Sequence, residues 1–170
     1  GFSITCNGEK TNAVNGAATT GVLASVNAMV LCKVTDSRGY TTTEAVTLQV
    51  QDYAPPTITE ASVYRCDDAL LAADDGEHIA ARATAGCTAL GGANSVTLKA
   101  AYKAVGAESY SAEVTLQSGT VKMVTGNAVI STTQSYVVRL TATDKVGNSA
   151  VYEKTVSTKA VTFHLKNGGK

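Results

Sequence analysis

The chain has 170 residues and carries 14 Lys plus Arg against 14 Asp plus Glu, a formal net charge of +0 at pH 7; that balance gives no electrostatic attraction to nucleic acid or an anionic membrane surface, so neither is expected as a partner. Apolar residues make up 44%, enough to bury a core, while aromatics are 5% and Trp is absent, which weighs against a sugar-binding cleft that stacks rings on indoles. No apolar run approaches the roughly 18 residues needed to span a bilayer, so no membrane insertion is expected.

Taken in chain order, the first residues lack the basic-then-apolar layout of a signal peptide, and Gly1 reads as a scar of tag removal. Ala28, Val30, Cys32 and Val34 alternate as one face of a strand. That strand ends in Thr35-Asp36, and Gly39 follows two residues later. An Asp that accepts turn amides and a Gly free to take a positive φ predict a hairpin here, with Asp36 and Gly39 as its structural residues. Then comes Gln51-Asp52-Tyr53-Ala54-Pro55-Pro56. Neither Pro55 nor Pro56 can donate to a ladder, and together they hold the chain extended, so they mark a boundary: residues 1–52 form one unit and 53–170 a second.

Beyond the boundary, Asp68-Ala69-Leu70-Leu71-Ala72-Ala73 is the one place to look for a helix, although the run is short. Ile79, Ala81, Ala83 and Ala85 predict a strand whose opposite, polar face carries His78, Arg82 and Thr84. Val96, Leu98, Ala100 and Tyr102 predict another, as do Tyr136, Val138, Leu140 and Ala142. Turn pairs separate these runs, among them Asp75-Gly76, Gly91-Gly92, Ser118-Gly119, Gly126-Asn127 and Gly147-Asn148. Short strands at such spacing read as an all-β sandwich or barrel. The second unit has room for seven strands; the first has room for three or four and looks incomplete. Ala160–Leu165 reads as an extra C-terminal strand.

Val34-Thr35-Asp36-Ser37-Arg38-Gly39-Tyr40 is written again as Ala142-Thr143-Asp144-Lys145-Val146-Gly147-Asn148, 108 residues later, about the length of one sandwich domain. Asp144 and Gly147 thus repeat the roles of Asp36 and Gly39. A generic hairpin with coincidental residues is the alternative to a true repeat. Tyr136 opens the strand that leads to Asp144, and a tyrosine there can bond back to the preceding connection and lock a sandwich corner.

None of the cysteines, Cys6, Cys32, Cys66 and Cys87, forms a C-x-x-C pair, so zinc-knuckle spacing is absent. Cys32 reads as a small core residue, with a Cys6–Cys32 bridge as the alternative. Cys66 and Cys87 are poorly placed to pair. On neighbouring antiparallel strands Cys66 faces residues near Ile79, which leaves Cys87 about 25 Å further on at ~3.3 Å per residue.

Asp52-Tyr53-Ala54-Pro55-Pro56-Thr57-Ile58, Tyr64-Arg65-Cys66-Asp67, Ala73-Asp74-Asp75-Gly76, Gly91-Gly92-Ala93-Asn94-Ser95, Ser135-Tyr136-Val137-Val138-Arg139 before Thr143-Asp144, and Val161–Lys170 follow one another in this order. Together they resemble the immunoglobulin-like modules of minor structural tail proteins from long-tailed phages (prophages) of Gram-positive bacteria. The resemblance implies an immunoglobulin-like antiparallel β-sandwich in tandem units, the first incomplete. It implies a virion component at the tail tip or fibre that spaces or presents host-contacting parts. Its implied partners are other tail proteins, further copies of itself, or a host cell-surface receptor. The family continues past Gly168-Gly169-Lys170 into a further glycine-rich segment, so an excised piece of a longer protein is expected.

Asp67, Asp68, Asp74, Asp75 and Glu77 are the calcium candidate, because oxygen-rich loops hold Ca²⁺. The alternation of a D-x-[DN]-x-[DN]-G loop is missing, however. The competing reading is a solvated connection with an Asp-Gly turn at Asp75-Gly76. No other metal site and no cofactor is expected. His78 and His164 lack a G-x-S-x-G elbow or an H-E-x-x-H motif, so no enzyme is expected. Lys99, Lys103, Lys122 and Lys145 read as a solvated face rather than a basic strip. Two other readings stand beside the phage tail: a bacterial cell-surface adhesin or stalk, since the same units serve there, and a carbohydrate-binding accessory module that stacks sugar on an exposed tyrosine such as Tyr110.

Overall fold

A computed structural model describes residues 3–6, 9–12, 29–35, 38–47 and 51–158. The chain divides into two compact units, Gly1–Asp52 and Tyr53–Lys170. The described residues are all-β: every sheet pairing is antiparallel, and the only helical element is one 3₁₀ turn at Leu90–Gly92. The C-terminal strand expected at Ala160–Leu165, Asp36, and the Cys6 and Cys32 side chains lie outside the described residues.

In the first unit β1 (Ser3–Cys6), β2 (Glu9–Asn12), β3 (Met29–Thr35) and β4 (Thr41–Thr47) form one sheet in the order β2-β1-β3-β4. The β3–β4 hairpin closes on the pair Thr35↔Thr41. Gly39 has φ +89°, a left-handed conformation that costs glycine little and other residues much.

The second unit has two sheets. One is β5 (Thr57–Cys66), β6 (His78–Gly86) and β9 (Lys122–Met123). The other has the order β11-β10-β7-β8, with β7 Val96–Ala104, β8 Val114–Leu116, β10 Tyr136–Asp144 and β11 Ser149–Val156. Alternation decides which side chains go inside. Leu98 and Ala100 of β7 and Val138, Leu140 and Ala142 of β10 face Val63, Ile79, Ala81 and Ala83 of the other sheet, with Leu116, Val124, Ile130 and Val156 completing the core. This is a β-sandwich-like arrangement. Pro55 and Pro56 form the extended lead into β5, with Pro56 buried. The β10–β11 hairpin closes on Thr143↔Ser149, the same spacing as Thr35↔Thr41, and Gly147 has φ +100°.

Two sequence expectations fail. The helix candidate at residues 68–73 is a pair of tight turns. Asp67 Oδ1 accepts the Ala69 and Leu71 N–H groups, both at 2.9 Å, Leu70 takes φ +65°, and Ala72 bridges back to Cys66. A carboxylate that competes locally for backbone donors outweighs helix propensity in so short a run. His78 does not lie on an exposed polar face. It is buried, as is Ala80 beside it in the alternation, because the connection from β9 to β10 folds over this end of β6, where Val124 N–H donates to Ile79 O and Ile130 N–H to Glu77 O, both at 2.8 Å.

Candidate functional site

Polar side chains gather at both ends of the second unit. At one end stands Asp144, the last residue of β10 and only 5% exposed. Its Oδ1 accepts the Gly147 and Asn148 N–H groups, each at 3.0 Å. Its Oδ2 accepts the Tyr53 hydroxyl at 2.7 Å and Asn94 Nδ2 at 3.2 Å. Asn148 Nδ2 donates in turn to Tyr53 Oη at 2.7 Å, and Asn94 Oδ1 accepts the Lys145 N–H at 3.0 Å. Asp144 is therefore more than a turn residue. It joins the β10–β11 hairpin, the connection before β7 and the chain leading into β5.

Burial pushes the Asp144 carboxyl up, but the four donors outweigh it and hold the group below its usual value. The Tyr53 hydroxyl is pushed up, by its desolvation and by the bond it gives Asp144. A depressed carboxyl pKa in the folded state stabilises above the unfolded value, and that contribution disappears as pH falls through the folded one. Urea titrations of the second unit are therefore expected to show stability falling between about pH 5 and pH 2. The slope should be steeper in the parent than in Asp144→Asn; parallel slopes would remove Asp144 from the account.

At the other end stands Arg65, next to last in β5 and 5% exposed. Its Nε donates to Ser157 O at 2.7 Å, its Nη1 to Gly76 O at 3.0 Å, and its Nη2 to Ser131 O at 3.1 Å and Gln134 O at 2.6 Å. The guanidinium carbon lies 5.7 Å from the Tyr136 ring centroid. Tyr136 Oη accepts the Ser131 N–H at 3.0 Å, so its hydroxyl is tied to the connection that precedes its own strand. Nothing in the local sequence beyond the resemblance singles out Arg65. In the structure it binds two connections, β5–β6 and β9–β10, and the chain leaving β11.

Asp67, Asp68, Asp75 and Glu77 line one open hollow with His78, but their carboxylates do not converge on a point. Asp67 spends its carboxylate on its own turn. Asp68 Oδ1 meets His78 Nε2 at 2.8 Å. Asp74, Asp75 and Glu77 are exposed. Among the described residues no three His, Cys, Asp or Glu side chains are placed to hold a metal ion together. His78 Nδ1 lies 3.3 Å from Thr125 Oγ1, which also accepts the Ile79 N–H at 3.3 Å. The Asp68–His78–Thr125 string has the residue types of a proton relay, but its hydroxyl is buried and already committed to the strand. It fastens the loops to β6. Cys66 and Cys87 are both free thiols, and burial, with Asp67 and Asp68 nearby, pushes the Cys66 thiol up, away from the thiolate that nucleophilic chemistry requires.

The outer face of the β11-β10-β7-β8 sheet carries a group of paired charges. Tyr110 is half-buried rather than exposed. The Arg139 guanidinium lies 4.0 Å and Lys103 Nζ 4.9 Å from its ring centroid. Glu153 Oε1 accepts the Tyr110 hydroxyl at 2.8 Å and Arg139 Nε at 2.7 Å. Those bonds hold the Glu153 carboxyl down, while burial pushes the Tyr110 hydroxyl up. Lys99 Nζ meets Glu113 at 2.7 Å, and Lys122 Nζ donates to Thr115 O at 2.9 Å. A hollow of about 330 Å³ on this face is lined by Lys99, Glu113, Thr141, Thr143 and Lys145, among others. Its Lys99 and Glu113 pair with each other, and the Tyr110 ring nearby is already covered by cations. Neither offers a sugar the bare aromatic face that stacking needs.

A scan against models of protein families finds no match to the chain, and a search of curated proteins finds none either.

Proposed function

We propose that the chain is a structural part of a phage tail, at its tip or fibre, built from immunoglobulin-like units in tandem and acting as a spacer or host-attachment module. The observation that carries this reading is the use made of the polar side chains of the second unit. Asp144, Asn94, Tyr53, Arg65 and Tyr136 hold connections and chain ends together, and on the outer face Lys99 pairs with Glu113 and Arg139 with Glu153. That is chemistry spent on shape. The resemblance of the sequence supplies the tail. Among the described residues of the first unit β4 is an edge strand, exposed along its whole length. Such an edge favours pairing with another chain, which suits assembly with other tail proteins or with a second copy. Quantitative mass spectrometry of gradient-purified virions is expected to find this chain at a fixed ratio to the other tail proteins. Its loss on purification would reject the reading and favour a cell-surface stalk.

A further inference from the structure

We propose that the second unit bears tension, through two polar clamps that couple its first and last strands so that a pull on the ends of the unit loads them in shear. The proposal deepens the spacer reading, which supplies the reason for a load. β5 begins shortly after Tyr53, beyond Pro55 and Pro56, and β11 begins just after the Asp144 corner. The Tyr53 hydroxyl bonds Asp144, at the end of β10, and Asn148, which immediately precedes the head of β11. At the far end Arg65, at the tail of β5, holds the carbonyl of Ser157, the residue that follows β11. β5 and β11 thus lie against each other and run the same way, fastened at head and tail.

A pull on the chain before Tyr53 passes through that hydroxyl to the head of β11. A pull on the chain after Ser157 passes through the guanidinium to the tail of β5. The forces are opposed along neighbouring strands, so the contacts between them must fail together, whereas a hairpin opened from its ends fails one pair at a time. The Tyr53–Asp144 and Arg65–Ser157 bonds each involve a charged group, and such bonds are about twice as strong as neutral ones. Ala54 adds a smaller fastening, its N–H donating to Thr88 Oγ1 at 2.9 Å while the Thr88 hydroxyl donates to Ala54 O at 3.3 Å.

Single-molecule pulling of the full chain by its two termini, at constant force, tests this. Release of residues 53–157 is recognised by its length, at about 3.6 Å per residue. Tyr53→Phe removes the bonds to Asp144 and Asn148 without touching the core and is expected to speed that event about tenfold; Arg65→Lys should speed it by at least as much. Leu116→Ala is the control. Leu116 is buried on β8, a strand still in place when the terminal strands part. Its loss should cost more equilibrium stability than Tyr53→Phe but change the forced rate by less than about threefold. If Leu116→Ala accelerates the event as much as the clamp variants do, or Tyr53→Phe leaves it unchanged, the proposal is wrong. Absence of the chain from virions would reject the tail reading and leave this result standing.

Discussion

Arg65→Met is expected to lower the stability of the second unit by about 4 kcal/mol. Methionine fills much the same volume and removes every donor. The carbonyls of Gly76, Ser131, Gln134 and Ser157 then each lose a partner. The first is fully enclosed and the others are partly so; an unpaired buried acceptor costs about 1–3 kcal/mol. The native guanidinium has no carboxylate among these partners. Its charge is spread over four carbonyl dipoles and the face of Tyr136, an arrangement only a planar fork with donors in several directions can make. Arg65→Lys should accordingly recover less than half of the loss. Guanidinium titrations followed by circular dichroism would measure both variants, and a deficit under about 1 kcal/mol for Arg65→Met would show that water replaces the side chain at little cost.

Gly76→Ala is expected to cost about 3 kcal/mol or more, for a different reason. Its backbone does not require glycine by φ. A Cβ there would stand 2.3 Å from Cys66 O, 2.6 Å from Cys66 C and 2.8 Å from Cys66 N. All three are main-chain atoms, so no rotamer change relieves the contact. The Ala73–Gly76 turn would have to move away from the end of β5, taking with it the carbonyl that Arg65 holds. Gly147→Ala is the useful comparison. Nothing lies within 4 Å of a Cβ at that position, and its penalty comes only from φ +100°, about 1–2 kcal/mol. Thermal melts in which Gly76→Ala proved the milder of the two would mean that the turn shifts freely.

Alternation made much of the fold readable. Val96–Tyr102, Tyr136–Ala142 and Ile79–Ala85 are strands because a two-residue period puts every second apolar side chain into the core. Glycine after aspartate located both hairpins. What escaped was set by neighbours distant in sequence. β9 is two residues long and exists only because β6 passes beside it. His78 looked solvated because burial of its face depends on the connections that cover it, which no local pattern records. Tyr110, in the connection between β7 and β8, looked exposed for the same reason: its ring is covered by Arg139 of β10. Arg65 sits among apolar neighbours in a strand, where a charged residue reads as a surface position unless its acceptors are known, and those acceptors are main-chain carbonyls that carry no sequence signature. Asp144 was found, but as a turn residue. Its bonds to Tyr53 and Asn94 span 91 and 50 residues, and the one hint of the first was a tyrosine placed just before two prolines.

The tail assignment is tested most directly by electron microscopy of intact virions labelled with gold-conjugated antibody against this chain. Gold confined to the tail, at its tip or along its fibres, is the expected result. Virions that carry no label, with the antigen found instead on the surface of the bacterial host, would contradict it.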